Sequence, residues 1–409
     1  MTGPLRLGVV GAGAFAAFVA AAVRTLPDVR ITAVADTDAA RAGRLAHQVS
    51  ARPLTDWRAL VGGDDVDVVV VATPPATHAE IALAALGAGK HVFCEKPLAT
   101  DEAEAAAVAS AAQRSGRVLV VDHVLRYNPI LRAIRRLADP LLGSVQRFAF
   151  ENDASDENLG PDHWFWDERI SGGILVEHGV HFFDAADALI GTVPDAVQAM
   201  VARRPGSDLI DLAVATVRYP GGVLATFAHG FTHADRCERQ LMRIDFGAAE
   251  ARVTGWIPVH AVIDVWTDDA GAAVAEDLPA RAPKLLAVPG HRLAAAGRMD
   301  VAVERDAGPA HARARGRDLR LPHRARIVVD LGGEKAKKPV YAESIRAAMT
   351  DLVHCVRTGG VPAAGPTEGW RAVAVAAAAR RAAQQGRDVD LAPLVAAGQA
   401  PRAPAPPDP

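Results

Sequence analysis

The stretch Val66-Asp67-Val68-Val69-Val70-Val71-Ala72 is the strongest constraint on what this chain can become. A nearly unbroken valine run has no polar alternation and must be buried on both faces. Such a strand belongs inside a parallel sheet with helices packed above and below it. The neighbouring sequence agrees. Residues 5–10 are a short apolar run ending in glycines, 15–26 read as a helix, and 31–35 as a second β-branched strand. A helix over 38–49 has Asp38 placed to cap it. Further on, 76–88 read as a helix stopped by Gly89, 91–95 as a strand, 101–115 as a helix and 117–121 as a strand. This alternation predicts a doubly wound α/β domain over residues 1–123.

The pattern changes after His123. A helix is expected over 129–137, then strands over 145–151, 197–203, 212–219, 223–229 and 243–246, with Gly221-Gly222 as a hairpin turn. Residues 124–395 therefore read as an α+β domain on a mainly antiparallel open sheet, closed by helices over 341–358 and 367–385. Residues 279–326 are rich in Arg, Pro and Ala with little periodicity, and read as a basic, partly disordered insertion or long loop. Residues 396–409 read as a Pro-rich tail.

At 409 residues, half of them hydrophobic and 23% charged, the chain fits two globular domains. A net charge of −3 gives no reason to expect nucleic acid or an acidic membrane as partner. Cys94, Cys237 and Cys355 have neither metal-ligand nor disulfide-framework spacing, so a reducing cytoplasm is the expected location. No apolar run is long enough to span a membrane. Residues 6–22 resemble a signal peptide in outline. The strand, glycine turn and helix read over the same residues account for them better, because an acidic residue follows at the distance a dinucleotide site requires.

That site starts at Gly11-Ala12-Gly13-Ala14-Phe15-Ala16, a G-x-G-x-x-A fingerprint at a strand-to-helix turn. Gly11 permits the turn, Gly13 lets a pyrophosphate approach the backbone, and Ala16 lets the helix pack closely. Asp36 lies 25 residues beyond Gly11, at the end of the second strand, where a carboxylate accepts the adenosine ribose hydroxyls. A negative charge there favours NAD over NADP, and Arg41, one turn into the next helix, keeps NADP possible. Thr73, Pro74 and His78 follow the valine strand at the sheet edge where open α/β folds bind ligands.

Glu95-Lys96-Pro97 closes a strand at the same edge, so Glu95 and Lys96 join Thr73, Pro74 and His78 as candidate cofactor contacts. The proline restricts the lysine backbone and allows a cis peptide. Lys96, partly desolvated beside a positive nicotinamide, is placed to trade a proton with a substrate hydroxyl. In the second domain, Gly172-Gly173-Ile174-Leu175-Val176-Glu177-His178-Gly179-Val180-His181-Phe182-Phe183-Asp184 reads as the start of a helix. On one helix, Glu177 and His181 share a face and Asp184 can orient the imidazole. Metal ligation by His178 and His181 is the rival reading; the pair lacks a third ligand, so no metal is expected.

Together these motifs resemble the glucose–fructose oxidoreductase/inositol dehydrogenase family (Gfo/Idh/MocA). The match lies in the fingerprint, the Glu95-Lys96-Pro97 triplet, the Gly-Gly-x4-acid-x3-His-x2-Asp segment, and the stretch from Tyr341 through Gly369 to Gly386. The resemblance implies an NAD(P)-dependent oxidoreductase acting on a carbinol carbon of a sugar, cyclitol or related polyol. It implies that Lys96 is the catalytic lysine, His181 the acid/base and Glu177 its acidic partner, although the family usually has aspartate at that position. It also implies association through the second sheet into a homodimer or homotetramer. Arg126 and Tyr127 match a segment that reaches toward substrate in that family. Lys96, His178 and His181 are further candidate substrate contacts, and Trp164 and Trp166, which precede that helix, suit either stacking on a sugar ring or packing in a core or subunit interface. Redox-neutral use of tightly bound NAD, and a non-catalytic dinucleotide sensor, stay open beside the dehydrogenase.

Overall fold

The computed structural model describes residues 3–156 and 159–391. The first sheet is built from β1 (Leu5–Val10), β2 (Val29–Ala35), β3 (Arg52–Leu54), β4 (Val68–Val71), β5 (His91–Cys94) and β6 (Leu119–Val121). Every pairing is parallel and the order is β3-β2-β1-β4-β5-β6. Helices α1 (Ala14–Val23), α2 (Ala39–Val49), α3 (Trp57–Val61), α4 (His78–Gly87) and α5 (Glu102–Ser115) connect the strands. This is the doubly wound dinucleotide-binding order, whose ligands sit at the carboxyl ends of the strands. The four valines of β4 are fully buried, as their unbroken run demands. Asp38 caps α2, accepting from Ala40 N and Arg41 N.

The chain then forms α6 (Pro129–Leu137) and β7 (Val145–Asp153). Three short helices follow: α7 (Glu168–Ser171), α8 (Ile174–Glu177) and α9 (Val180–Ile190). Next come β8 (Ala196–Arg203), β9 (Ile210–Tyr219), β10 (Val223–Gly230), β11 (Arg239–Phe246), β12 (Ala249–Thr254) and β13 (His260–Thr267). Then α10 (Asp269–Leu286), β14 (Arg298–Arg305), the hairpin β15 (His311–Ala314) and β16 (Arg317–Arg320), and β17 (His323–Asp330). The described chain ends with α11 (Lys337–Thr358), α12 (Pro366–Gln385) and β18 (Val389–Asp390). The second sheet runs β14-β17-β13-β12-β11-β7-β10-β9-β8-β18, antiparallel except between β7 and β10.

The expected basic insertion over 279–326 is folded. In α10 the buried residues Ala272, Ala275, Leu278, Ala282, Leu285 and Leu286 recur every three or four positions, while Pro279 and Pro283 lie on the exposed face. There water can satisfy the carbonyls that a proline leaves free. In β17, Ala325, Ile327 and Val329 point inward, and Arg324 and Arg326 on the other face converge on Asp264 at 2.9 and 3.3 Å. The arginines that suggested a loop are the polar side of a strand. The expected Pro-rich tail, residues 396–409, lies outside the described residues.

Helices α11 and α12 pack back on the first sheet. Gly369 of α12 is so close to β6 that a Cβ there would meet Val121 Cγ2 at 2.6 Å. The β6 strand end is bonded through Val121 N to Ala364 O at 2.9 Å. Ion pairs Arg357–Asp28 and Arg381–Glu102, at 2.6 and 2.9 Å, tie the same two helices to the first domain.

Candidate active site

At the end of β1 the chain turns through Gly11, whose φ of +98° disfavours any side chain. An added Cβ would also lie 2.3 Å from Ala72 O. Gly13 differs: a Cβ there would meet nothing within 4 Å, so the space before it is open. Gly13 is the N-cap of α1 and supplies no capping side chain. The free N–H groups of the first turn, beginning at Ala14, are thus left at a glycine-lined opening. That arrangement fits a dinucleotide pyrophosphate.

Asp36 accepts from Ala12 N at 2.7 Å and from Asp38 N at 2.8 Å. It therefore fixes the glycine turn to the end of β2, and its remaining lone pairs are available to ribose hydroxyls. Arg41 is exposed and lies 3.4 Å from Asp38. Phe15 rests on Phe18 and Tyr341. In the loop after β4, Thr73 Oγ1 accepts from Thr77 Oγ1 at 2.7 Å, and Pro74 is exposed.

Two residues assigned to cofactor contact have other work. His78 is buried, with Nδ1 2.7 Å from Pro97 O and Nε2 2.8 Å from Thr73 O. It braces the loop after β4 against the turn after β5, and burial keeps its pKa below the usual imidazole range. Glu95 is buried beside Asp122, because β5 and β6 pair in register up to Cys94 and Val121. Burial pushes the Glu95 carboxyl well up, with Asp122's charge adding to it, and Asp122 rises to about 6. Two carboxyls so close together cannot both ionise, so the pair retains a proton.

The Lys96-Pro97 peptide is cis. Lys96 Nζ donates to Glu177 Oε1 at 2.6 Å and to Glu177 O at 3.0 Å. The two sheet domains therefore meet at this ion pair, whose side chains are about 14% and 13% exposed. The expected single helix is broken after Glu177. Gly179 passes so close to α8 that a Cβ would sit 2.3 Å from Leu175 O, and α9 starts afresh at Val180. His181 is buried in the first turn of α9, with Nδ1 enclosed and unpartnered and the ring 5.9 Å from Trp256. Burial, and then the charge of Lys96, hold its pKa well below the usual range. It is neutral at physiological pH.

Asp184 does not orient that imidazole. It takes both its oxygens to Arg126 Nε, at 2.7 and 2.8 Å, in an ion pair closed off from solvent. Arg126 is thereby turned inward as well; it also donates to Ala363 O at 3.2 Å. Tyr127 is buried and spends its hydroxyl on Asp351 Oδ2 at 2.8 Å. Trp166 donates to Leu159 O at 2.9 Å and carries Arg204 5.2 Å above its ring, whereas Trp164 is exposed. His178 pairs with His229, Nδ1 to Nδ1, at 3.0 Å. No group of three His, Cys, Asp or Glu among the described residues is placed to hold a metal ion.

The sequence reading passed over Asp122, His123 and His229. Asp122 and His123 follow β6 at the same sheet edge that singled out Thr73 and Lys96, so that rule would have found them. Both His123 nitrogens are buried without a partner. His229 gave no local signal, since its partner is 51 residues away.

Residues 5–123 match the oxidoreductase family with an NAD-binding Rossmann fold, and 130–249 match the GFO/IDH/MocA C-terminal domain. The chain is 30% identical over 233 residues to dTDP-3,4-didehydro-2,6-dideoxy-alpha-D-glucose 3-reductase of Actinomadura kijaniata, covering 56% of this chain and 70% of that one. It is 29% identical to 2,7-anhydro-N-acetylneuraminate hydratase of Escherichia coli, covering 55% and 62%. It is 34% identical to inositol 2-dehydrogenase 2 of Saccharopolyspora erythraea, covering 54% and 65%. The aligned stretch thus spans about two thirds of each relative. The fold matches an oxidoreductase domain protein from Kribbella flavida with a TM-score of 0.73 at 23% identity, over 95% of this chain and 100% of that one. Fingerprint turn, sheet order and both domain matches agree: the chain belongs to the Gfo/Idh/MocA family of oxidoreductases, with NAD as cofactor of its Rossmann domain.

Proposed function

We propose that this protein moves a hydride between NAD and a carbinol carbon of a sugar, cyclitol or related polyol. The observation that carries the reading is the Lys96–Glu177 contact, made between the cofactor edge of one sheet and the helices beside the other. Bound NAD supplies the hydride acceptor or donor. In oxidation, Lys96 Nζ takes the hydroxyl proton as one of its own protons shifts to Glu177 Oε1, 2.6 Å away, while the carbinol becomes a carbonyl. Reduction reverses both shifts. His181, kept neutral by burial and by Lys96, is suited to hydrogen-bonding the same oxygen and fixing its orientation. Glu177 reaches one methylene further than the family's usual aspartate, and Glu177→Asp tests whether that reach matters.

The test is steady-state turnover with NAD⁺ or NADP⁺ crossed with a sugar and cyclitol panel. Turnover is expected with NAD⁺ and to collapse in Lys96→Ala; activity retained in Lys96→Ala and His181→Ala would refute the assignment. The hydratase relative supports a second reading, in which NAD stays bound and transient oxidation labilises a neighbouring bond. Substrate loss without net change in nicotinamide absorbance would select it.

Self-association through the second sheet belongs to the same proposal. Met200, Val201, Val214 and Leu224 are exposed on β8, β9 and β10, with Met200 directly opposite Val214. Light scattering should return a dimer or tetramer.

A further inference from the structure

We infer that His229 is a positioning residue that fixes the ring hydrogen of His178, so that His178 presents Nε2–H to the substrate cleft and selects ligands carrying an accepting oxygen there. This rests on the proposed function and names a recognition element within it.

His229 lies on β10 and is fully buried, packed among Phe150, Phe182, Phe183 and Phe227 at ring-centroid distances of 5.6 to 6.4 Å. Its Nδ1 is 3.0 Å from His178 Nδ1, and its Nε2 is enclosed with no partner. Burial pushes the pKa of both rings down, His178 to about 3, so both are neutral. Two neutral rings at this separation need one hydrogen between them. If His178 supplied it, the hydrogen of His229 would sit on Nε2, a buried donor with no acceptor in reach. Orphaned buried N–H groups are rarer than under-satisfied acceptors, and a ring face is a weak substitute partner. The hydrogen therefore belongs to His229 Nδ1, and His178 carries its own on Nε2.

That second nitrogen is not enclosed. His178 is half-buried and follows Glu177, the residue that holds Lys96; Lys96's charge is felt at the His178 ring. A fixed N–H here donates to a hydroxyl, carbonyl or carboxylate oxygen and opposes an ammonium. A polyol therefore fits, and its aminodeoxy analogue at the same carbon does not.

Two measurements test this. Ring-¹⁵N spectra of histidine-labelled protein, assigned with His178→Phe and His229→Leu, should show hydrogen on His178 Nε2 and His229 Nδ1. In kinetics with the best substrate of the panel, His229→Leu should raise substrate KM about tenfold, the loss of one oriented hydrogen bond. Its kcat and its KM for NAD⁺ should stay within about twofold, since no transition-state or cofactor contact is removed. His229→Asn, whose amide donates from the place of Nδ1, should restore most of the loss. Hydrogen on His178 Nδ1, or equal KM increases in the Leu and Asn variants, would overturn the inference. Wild-type protein that turned over nothing in the panel would sink the proposed function, and the ring spectra would then decide this inference alone.

Discussion

The two sides of the cleft are built in opposite ways. On the cofactor side the main chain does the work: a glycine at φ +98° and uncapped N–H groups on α1 at a glycine-lined opening. On the substrate side the work falls to buried side chains, Lys96 against Glu177, Arg126 against Asp184 and His178 against His229, each joining residues at least 51 apart. The first kind of site tolerates variation in side chains but not in backbone conformation. The second depends on polar atoms that lose their balance when one partner changes.

Removing the groups nearest the chemistry should break the contrast most sharply. Lys96→Ala should lower kcat about a thousandfold, within the range of acid–base contributions, and His181→Ala about a hundredfold, the loss of one oriented hydrogen bond to the reacting oxygen. NADH binding, followed by fluorescence, should change little in either. Next in size, Arg126→Met strands the Asp184 carboxylate, which is 1% exposed, and should cost about 3–5 kcal/mol in denaturant unfolding. The glycines sharpen the comparison within one turn. Gly11→Ala strains the backbone and collides with Ala72 O, so both melting temperature and NAD⁺ affinity should fall. Gly13→Ala touches no protein atom, so calorimetry should find an unchanged fold with NAD⁺ binding weakened roughly tenfold or more.

The smallest effect is a pH dependence. Burial lowers the pKa values of His78, His91, His123, His178, His181, His229 and His291. The unfolded chain binds those protons below about pH 6.5 and the folded chain does not, so stability falls as pH drops. Glu95, held well up, Asp122 at about 6 and Asp187 at about 7 act in the opposite sense, because the folded chain keeps their protons. The histidines outnumber them, and the melting temperature should drop by several degrees, of order 1–2 kcal/mol, between pH 7 and pH 5. A rise would mean that the carboxyls dominate.

How legible each side was follows from the same difference. Gly11, Gly13, Asp36 and the β4 valines signal through local backbone requirements, and their elements lie where the periodicity put them. Lys96 and Glu177 were legible through motif, but the break at Gly179 was not, because it comes from an approach to Leu175 O within a locally helical pattern. Asp184 looked like a partner for His181 by spacing; a buried arginine from 58 residues away claims it. The arginines of β17 concealed an alternating strand because their acceptor, Asp264, lies on another strand.

The return of α12 to β6 has a consequence for how the chain is made. Residues 5–123 leave the ribosome well before α12, yet the part of their sheet under Gly369 is closed only by that helix, some 250 residues later. At about 5–20 residues per second, that surface waits on the order of tens of seconds during synthesis. The nascent first domain therefore keeps that face open until α12 arrives, and an N-terminal fragment made alone should be sticky where the finished protein is sealed.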